Sequence, residues 1–594
     1  MDHRPEKKAP RRNDYRVILH FDIDCFYAQA CANQQPALKT VPLGIKQKSI
    51  LATCNYAARR RGVKKLMLIA EARKVCPELV IVEGEDLTPF RDVSKRLYAL
   101  LRSYSWSGKT ERLGLDEVFL DVTDVVAYNV ELLNRNTLAR SYFCLSRTDP
   151  EQGFEYDASA FAGCVVYRCG PEDAAQAAAA AVLDSNPLAI RLLVASHLAN
   201  YIRLKIEQDG FTSSCGIATS KLLAKLVGDK NKPRNQTALA ALHDDHVLSF
   251  MDGHRLRKVP GIGAKTTHIL EAFVTSGEVP DLADVDLHTM ECSLTVGEVR
   301  THADISAPTL QNLLGGRPGS EKGLGTKVWA LLHGVDDTEV KPARDVPTQI
   351  SIEDTYRGLN EVSEVTRELF LLSLSLLRRM LVDLVEDSPK PTWLAYPKTI
   401  RLTTRPKTSA AEGRPYNWSR SSRSAPMPGF VLNAPAVPAD EIADRLVAET
   451  LLPLFYKLHP PRQQARGWNI GLLNVCATNL TGGADGKSGV ANNKNIATMF
   501  RRQEDVLREF TEYGSDGGEG GGWEVAAAAS GQPDGTAEEG SGALAGFSDD
   551  NTWDQDDYGS NYREDMEQCP LCGRFMPRFA QSAHDRFHSM EQGG

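Results

Sequence analysis

Residues 20–28 read HFDIDCFYA. Their first four residues are the end of an apolar run, YRVILHFDI, which starts at Tyr15. A run that is apolar nearly throughout is typical of a central β-strand that is buried on both faces. Asp22 and Asp24 stand two residues apart at its end, so both are expected to project from one edge of a sheet. We therefore look for chemistry at the polar end of this strand.

A second acidic pair stands in residues 111–123, ERLGLDEVFLDVT, where Asp116 and Glu117 precede another apolar strand. Two such strands side by side would gather three or four carboxylates, which repel one another unless a hard divalent cation such as Mg²⁺ neutralises them. Any single Asp is better explained as the end of a strand or the cap of a helix, and the spacing alone is a weak signal. Two cation-rich strings favour a site for a triphosphate: TCNYAARRRGVKKLM at 53–67 and TSKLLAKLVGDKNKPRNQT at 219–237.

The composition predicts several folded domains with a basic body. The chain has 594 residues, 42% hydrophobic and 25% charged, which is too long for one hydrophobic core. Its formal charge is −8, but the stretch from Gly514 to Glu567 holds fourteen Asp and Glu against Arg563 alone. That stretch carries −13, so the rest of the chain is at +5, as expected for a protein that binds nucleic acid.

Periodicity predicts a mixed α+β chain. Helical patterns cover much of 86–104, 188–208, 219–229 and 360–386, whereas VFLDVT, KTIRLTTR and WNIGLLNV are typical of strands. Residues 146–187 are interpreted as an insertion between core elements. After about Thr481 the composition turns to Gly, Ala, Ser, Asp and Glu, which predicts a flexible linker over 481–565.

Location is predicted from three features. No run of about 18 apolar residues exists, and the basic start MDHRPEKKAPRR lacks the apolar segment of a secretory signal, so we expect an intracellular protein without a membrane span. Most of the 12 cysteines are scattered, as reduced thiols are. The KK and RR pairs of residues 1–13 are either a nuclear-import signal or a solvated arm.

Six strings, in this order, resemble the Y family of translesion DNA polymerases: HFDIDCFYAQ, TCNYAARRRGVKKLM, GEDLTPFR, ERLGLDEVFLDVT, SKLLAKLVGDKNKP and VPGIGAKT. Together they span about 15–275, with a weaker match to about 480. The GLDE and GVKKLM strings are more similar to the iota branch than to the eta branch. The resemblance implies a nuclear, error-prone, DNA-directed DNA polymerase that acts on primer-template DNA and deoxynucleoside triphosphates.

The resemblance implies a two-metal site of Mg²⁺ or Mn²⁺. Its ligands would be Asp22, Asp116 and Glu117 with the backbone carbonyl of Ile23, whereas Asp24 matches a position that does not normally ligate. One ion would activate the primer 3′-hydroxyl, and the other would stabilise the leaving pyrophosphate.

The resemblance also assigns residues to the incoming nucleotide. Tyr56, Arg59 and Lys232 would hold the triphosphate, although Arg234 after the proline departs from the usual KPN pattern. Tyr27 stands at the steric-gate position that excludes a 2′-hydroxyl. Gln47 and Ile50 would roof a narrow site, which favours a syn template purine. The alternatives are a solvated Arg59 and an ordinary core Tyr27.

The implied architecture is a right hand. Residues 14–27 and 89–245 would be the palm, 28–88 the fingers, 246–344 the thumb and 345–480 the little finger. In the thumb, residues 259–266 are typical of a helix-hairpin-helix, whose Gly261 and Gly263 would let backbone N–H groups approach a DNA phosphate.

The C-terminal end predicts a small zinc finger over 566–590. Cys569, Cys572, His584 and His588 have the spacing of a Cys₂His₂ site for structural Zn²⁺. It resembles the ubiquitin-binding finger of eta-type polymerases, but Asp585 stands one place earlier than the acid that contacts ubiquitin there.

A degenerate sliding-clamp peptide is a further prediction. Asn493, Ile496, Met499 and Phe500 have its spacing, although an ordinary amphipathic turn explains them as well. The rival functions are an eta-like polymerase and a non-catalytic scaffold that is recruited to ubiquitinated sliding clamp.

Overall fold

The computed structural model divides the chain into two units, Met1–Arg344 with Phe547–Gly594 and Asp345–Gly546. The structure describes residues 9–166, 186–277, 292–315, 321–344, 346–385, 392–407, 420–460, 467–482, 566–568 and 575–577. In these parts of the chain, no helix has the length and apolar composition needed to cross a bilayer.

The first unit mixes strands and helices along the chain. Its strands up to residue 239 are β1 (Ile18–Ile23), β2 (Leu43–Gln47), β3 (Ile50–Cys54), β4 (Val80–Glu83), β5 (Thr110–Leu113), β6 (Glu117–Asp121), β7 (Ser141–Cys144), β8 (Gly153–Tyr156), β9 (Cys164–Val166), β10 (Ser213–Ala218) and β11 (Gln236–Leu239). Its described helices are α1 (Phe26–Gln34), α2 (Tyr56–Arg60), α3 (Ile69–Val75), α4 (Thr88–Arg102), α5 (Thr123–Glu131), α6 (Pro187–Gln208), α7 (Lys221–Gly228), α8 (Asp244–Asp252), α9 (Ala264–Ser276), α10 (Val296–Thr301), α11 (Ala307–Leu314) and α12 (Leu324–Leu332).

A six-stranded sheet in the order β5-β6-β1-β10-β11-β9 organises this unit. β1 lies in its interior and pairs antiparallel with both β6 and β10. The predicted strand is thus confirmed, with Ile18 as its first residue. Leu19 and Phe21 are fully buried on one face with the apolar side of α6, and Ile18 is buried on the other face with α7. Burial on both faces explains why the run carries almost no polar residue.

Smaller sheets flank this core. β3, β2 and β4 form a three-stranded sheet in that order, and β7 pairs with β8 as a hairpin. β9 pairs parallel with β11 at the edge of the six-stranded sheet. The described part of 146–187 therefore contributes β9 to the core sheet and β8 to the hairpin with β7.

The second unit is built on one four-stranded sheet. Its elements are β12 (Ile350–Leu359), α13 (Val362–Leu384), β13 (Ala395–Pro406), β14 (Ser421–Pro426), α14 (Ala439–Leu446), α15 (Leu452–Leu458) and β15 (Ile470–Gly482). The strand order is β12-β15-β13-β14. The three helices bury their apolar sides against one face of this sheet in a single hydrophobic cluster.

The helices and strands predicted from periodicity are confirmed to within a few residues at each end. The structure has α4, α6, α7 and α13 where the four helical patterns lie, and β6, β13 and β15 where the strand patterns lie. The chain is thus a mixed α+β protein. The arm of residues 1–8, nearly all of the 481–565 linker and the clamp peptide lie outside the described residues.

The zinc-finger segment is described only as two short strands. β16 (Met566–Gln568) and β17 (Phe575–Pro577) pair antiparallel, with Gln568 opposite Phe575. Cys569 and Cys572 fall between these strands in the sequence. All four predicted zinc ligands lie outside the described residues.

Gly216 of β10 lies where the backbone of α7 packs closely on the sheet. A Cβ atom built on Gly216 would lie 1.9 Å from the backbone oxygen of Ala224 and 2.7 Å from the backbone nitrogen of Gly228. Because backbone atoms must move, we expect Gly216→Ala to lower the free energy of unfolding by about 1–3 kcal/mol or more. Gly253→Ala, where no atom lies within 4 Å of the added Cβ, is the control. Chemical denaturation that gave equal losses for both variants would contradict this packing.

Candidate active site

The pairing of β1 with β6 brings three carboxylates to one place. Asp22 lies opposite Glu117 in the antiparallel register. The backbone N–H of Ile23 donates to the carbonyl of Asp116 at 2.9 Å, which fixes Asp116 beside the end of β1. Asp22 therefore forms one acidic cluster with Asp116 and Glu117, which stand at the start of the adjacent strand.

Two lysines and a histidine face this cluster. Lys232 forms an ion pair with Asp22 and a second one, at 2.7 Å, with Asp229. Lys225 Nζ lies 2.6 Å from Glu117 Oε2, and His20 Nε2 lies 3.2 Å from the same oxygen. The side chains of Asp22 and Glu117 are 18% and 20% exposed, so the two lysine ammonium groups balance carboxylates that are largely shielded from water.

The cluster shifts the pKa of each acid according to its neighbours. Burial, with the charges of Asp22 and Glu117, raises the pKa of Asp116 to about 8. Burial also raises the pKa of Asp22, against the opposing effect of Lys232. Burial acts in the same direction on Glu117, but the hydrogen bond with His20 and the charge of Lys225 outweigh it and lower its pKa. Lys225 and Lys232 thus pair with Glu117 and Asp22, and the charges of these two acids help to keep the pKa of Asp116 high.

This donor set suits a hard cation. It consists of carboxylate oxygens and nearby backbone carbonyls, which are the ligands that Mg²⁺ prefers. Among the described residues, no group of three or more His, Cys, Asp or Glu side chains is already arranged to hold a metal ion. Lys232 and Lys225 each pair with a carboxylate oxygen that a bound cation would use.

Asp24 has a different environment from Asp22. It is 3% exposed and accepts hydrogen bonds from the hydroxyls of Thr212 and Ser214, each at 2.9 Å. It also accepts from the backbone N–H of Arg234 at 2.9 Å. Three donors satisfy this carboxylate, and they fasten the end of β1 to the start of β10 and to the segment before β11.

Tyr56 and Arg59 lie on α2, whose start is fixed by Asn55. The Asn55 side chain accepts from the backbone N–H of Ala58 at 2.9 Å and caps the helix. The Arg59 guanidinium stacks 4.7 Å from the centre of the Tyr56 ring and donates through Nε to the Cys54 carbonyl at 3.1 Å. Both side chains are therefore held in place before any ligand binds.

Lys232 lies close enough to this pair to affect it electrostatically. Burial raises the pKa of Tyr56 to about 12, with Asp24 adding to the effect and Arg59 and Lys232 opposing it. Arg234, which departs from the family pattern, points its guanidinium at Glu207 with distances of 3.1 and 3.0 Å. Lys232 therefore contacts Asp22 of the acidic cluster, Arg59 stacks on Tyr56, and the Arg234 side chain is paired with Glu207.

The remaining nucleotide residues lie on α1 and on the β2–β3 hairpin. Tyr27 is half-buried, with its ring edge-on to Phe90 at 4.7 Å between centroids. Gln47 and Ile50 are cross-strand partners next to the hairpin turn, and Gln47 Nε2 donates to the Gly84 carbonyl at 3.0 Å. Tyr27 thus packs on α4 through Phe90, and Gln47 fastens the β2–β3 hairpin to the segment after β4.

Gly261 and Gly263 precede helix α9. Gly261 has a φ of +88°, which favours glycine, and Gly263 is the N-cap residue of α9. No side chain caps the first N–H groups of this helix. The first backbone N–H groups of α9 therefore follow this glycine turn at a helix start.

Sequence reasoning missed Lys225 and His20. Lys225 lies four residues after Lys221 on α7, and Lys221 forms its own ion pair with Glu111 at 3.0 Å. This i, i+4 spacing on a helix within the cation-rich string 219–237 was the available signal. His20 stands two residues before Asp22 and shares its side of the strand, so its approach to the acids followed from alternation.

Comparisons with known proteins agree with this arrangement. The impB/mucB/samB family profile matches residues 21–229, the range that contains all three acids. DNA polymerase iota of Homo sapiens is 31% identical over 80% of this chain and 54% of its own length, and that of Drosophila melanogaster is 31% identical over 80% and 56%.

DNA polymerase eta of Arabidopsis thaliana is 26% identical over 64% of this chain and 52% of its own length. The chain spans about half the length of these curated relatives. The resemblance inferred from the six sequence strings is confirmed: residues 21–229 match the impB/mucB/samB family, the Y family of DNA polymerases, and the chain is similar to DNA polymerase iota.

Proposed function

We propose that this protein is an error-prone, template-directed DNA polymerase that inserts deoxynucleotides opposite damaged template bases. The observation that carries the proposal is the cluster of Asp22, Asp116 and Glu117, with Lys232 in contact with it. Carboxylates for metal ions, beside cations for a triphosphate, are the two needs of nucleotidyl transfer.

The proposed polymerase has four domains along the chain. Residues 14–27 and 89–245 would be the palm and 28–88 the fingers, followed by the thumb at 246–344 and the little finger at 345–480. The boundary of the two units at Arg344 and Asp345 supports the last division. The proposed action on primer-template DNA implies a nuclear location.

Two Mg²⁺ or Mn²⁺ ions would be held by Asp22, Asp116, Glu117 and the carbonyl of Ile23. When bound, they lower the pKa of the primer 3′-hydroxyl and stabilise charge on the leaving pyrophosphate. The raised pKa of Asp116, which follows from burial next to two other acids, supports a need for added positive charge here.

The chain's own residues bind and orient the nucleotide. Arg59 and Tyr56 are pre-positioned by stacking, so little side-chain freedom is lost when they bind the β- and γ-phosphates. Lys232 would leave Asp22 for a phosphate. Tyr27 would lie under the sugar and exclude a 2′-hydroxyl, while Gln47 and Ile50 would cover a narrow base-pair site that favours a syn template purine.

The outlying segments would position DNA and partners. The N–H groups at Gly261 and Gly263 would bind a backbone phosphate. Zn²⁺ at Cys569, Cys572, His584 and His588 would stabilise a finger that binds ubiquitin on a modified sliding clamp. Residues 493–500, with the degenerate clamp peptide, would bind the clamp directly.

The decisive experiment is single-nucleotide insertion on primed DNA opposite each template base. We expect the native protein to insert T accurately opposite A and G frequently opposite T. Asp116→Ala should lose activity on the order of 10³-fold, because a metal ligand is removed. Asp304→Ala removes an exposed acid of the first unit and is the control.

Three outcomes separate the rival functions. Equal accuracy opposite A and T would remove the narrow-site proposal, and accurate copying of T would favour an eta-like enzyme. Absence of metal-dependent insertion by the native protein would leave the scaffold as the better explanation.

Arg59 and Arg60 provide a matched pair for the triphosphate role. Arg59→Ala should lower kcat/KM for the incoming nucleotide roughly 10- to 100-fold, since a charge-assisted hydrogen bond contributes about 1.5–3 kcal/mol. Arg60→Ala removes an exposed neighbouring cation and should change it little. Steady-state insertion over a range of nucleotide concentrations measures both, and equal effects would mean that Arg59 acts only through general charge.

Ubiquitin binding can be measured by titrating the full chain into isotope-labelled mono-ubiquitin. We expect selective shifts of ubiquitin amide signals and one zinc ion per chain by elemental analysis. Cys572→Ser should abolish both, because zinc binding is coupled to folding of such a small finger. Unchanged ubiquitin signals with zinc-loaded native protein would remove ubiquitin from the proposed partners.

A further inference from the structure

The second unit's sheet has one face covered by helices and one polar face. By register, the polar face carries Ser351 and Glu353 on β12, Asn474 on β15, Arg401 and Thr403 on β13, and Ser422 and Ser424 on β14. Alternation adds Arg405 at the end of β13 and Arg420 immediately before β14. Within the described residues of these strands, Glu353 is the acidic side chain that shares this face with three arginines.

Arg420 and Glu353 meet across the whole width of the sheet. β12 and β14 are the two edge strands, three strand spacings or roughly 14 Å apart. The Arg420 guanidinium nevertheless donates twice to the Glu353 carboxylate, at 2.8 and 3.1 Å. Both side chains must therefore extend along the polar face, over the strands between them.

The surrounding contacts hold Glu353 in this position. Asn474 on the intervening strand β15 donates to Glu353 at 3.0 Å and to the Ser351 hydroxyl at 2.8 Å. The ion pair itself is 40% and 30% exposed, so water screens it and its contribution to stability is small. An exposed pair with an oriented acceptor is better explained by control of the arginine than by fold stability.

We propose that Glu353 is an internal competitor for DNA phosphate, which holds Arg420 in the free protein and releases it to the backbone of bound primer-template. A carboxylate and a phosphate both accept two parallel hydrogen bonds from one guanidinium, so the exchange preserves the geometry of Arg420. The inference rests on the proposed function, because it requires that the polar face binds DNA. Glu353 thereby limits the affinity of the enzyme for DNA.

The test compares primer-template binding by native protein, Glu353→Gln, Arg420→Ala and the double variant, using fluorescence anisotropy at several salt concentrations. We expect Glu353→Gln to bind roughly three- to tenfold tighter, with a salt slope steeper by up to about 0.9, since Arg420 no longer has to leave an anion. Glu441→Gln removes an equal charge at an exposed position of α14 and serves as the control. Melting temperatures show that all variants are folded.

The double variant isolates the ion pair. In the Arg420→Ala background, Glu353→Gln should change affinity no more than Glu441→Gln does. If Glu353→Gln binds DNA no tighter than the control, or if its gain persists without Arg420, Glu353 does not act as a competitor for Arg420. If the native protein binds no DNA at any salt concentration, the proposed function itself fails.

Discussion

The antiparallel pairing of β1 with β6 imposes the main electrostatic constraint on this molecule. It places Asp22 opposite Glu117 and brings Asp116 alongside, so three carboxylates share a region that is largely shielded from water. Like charges at such separations are costly unless positive charge lies near. The position of α7 and of the segment after it is best understood from that requirement.

Close packing of α7 on the sheet supplies this charge. Gly216 lies opposite His20 in the β1–β10 register, and the backbone of α7 approaches it through Ala224 and Gly228. With no side chain at Gly216, the helix lies against β10, and Lys225 reaches Glu117. A glycine in a fully buried strand is thus linked to the electrostatics of the acidic cluster, although it has no functional group.

Much of this was predictable because it is local. The apolar run before Asp22 specifies a buried strand, and the position of each acid at a strand end specifies where it points. The cation partners were not predictable, since they depend on how α7 docks. The spacing of Asp22 and Asp24 alone does not distinguish them, and Thr212, Ser214 and Arg234 reach Asp24 only after distant parts of the chain fold against β1. β9 has three residues, too few for any period to reveal it.

The two units share one physical device at their charged surfaces. In the first, Asp22 holds Lys232, and in the second, Glu353 holds Arg420, although 67 residues separate the latter pair in sequence. A cation that is paired in the free protein has already exchanged part of its hydration for a carboxylate. When a phosphate binds, one anionic partner replaces another. The exchange costs affinity but keeps the cation oriented. For an enzyme proposed to act briefly at a damaged base, ready release of DNA and nucleotide is compatible with its function, and internal ion pairs provide it without loss of geometry.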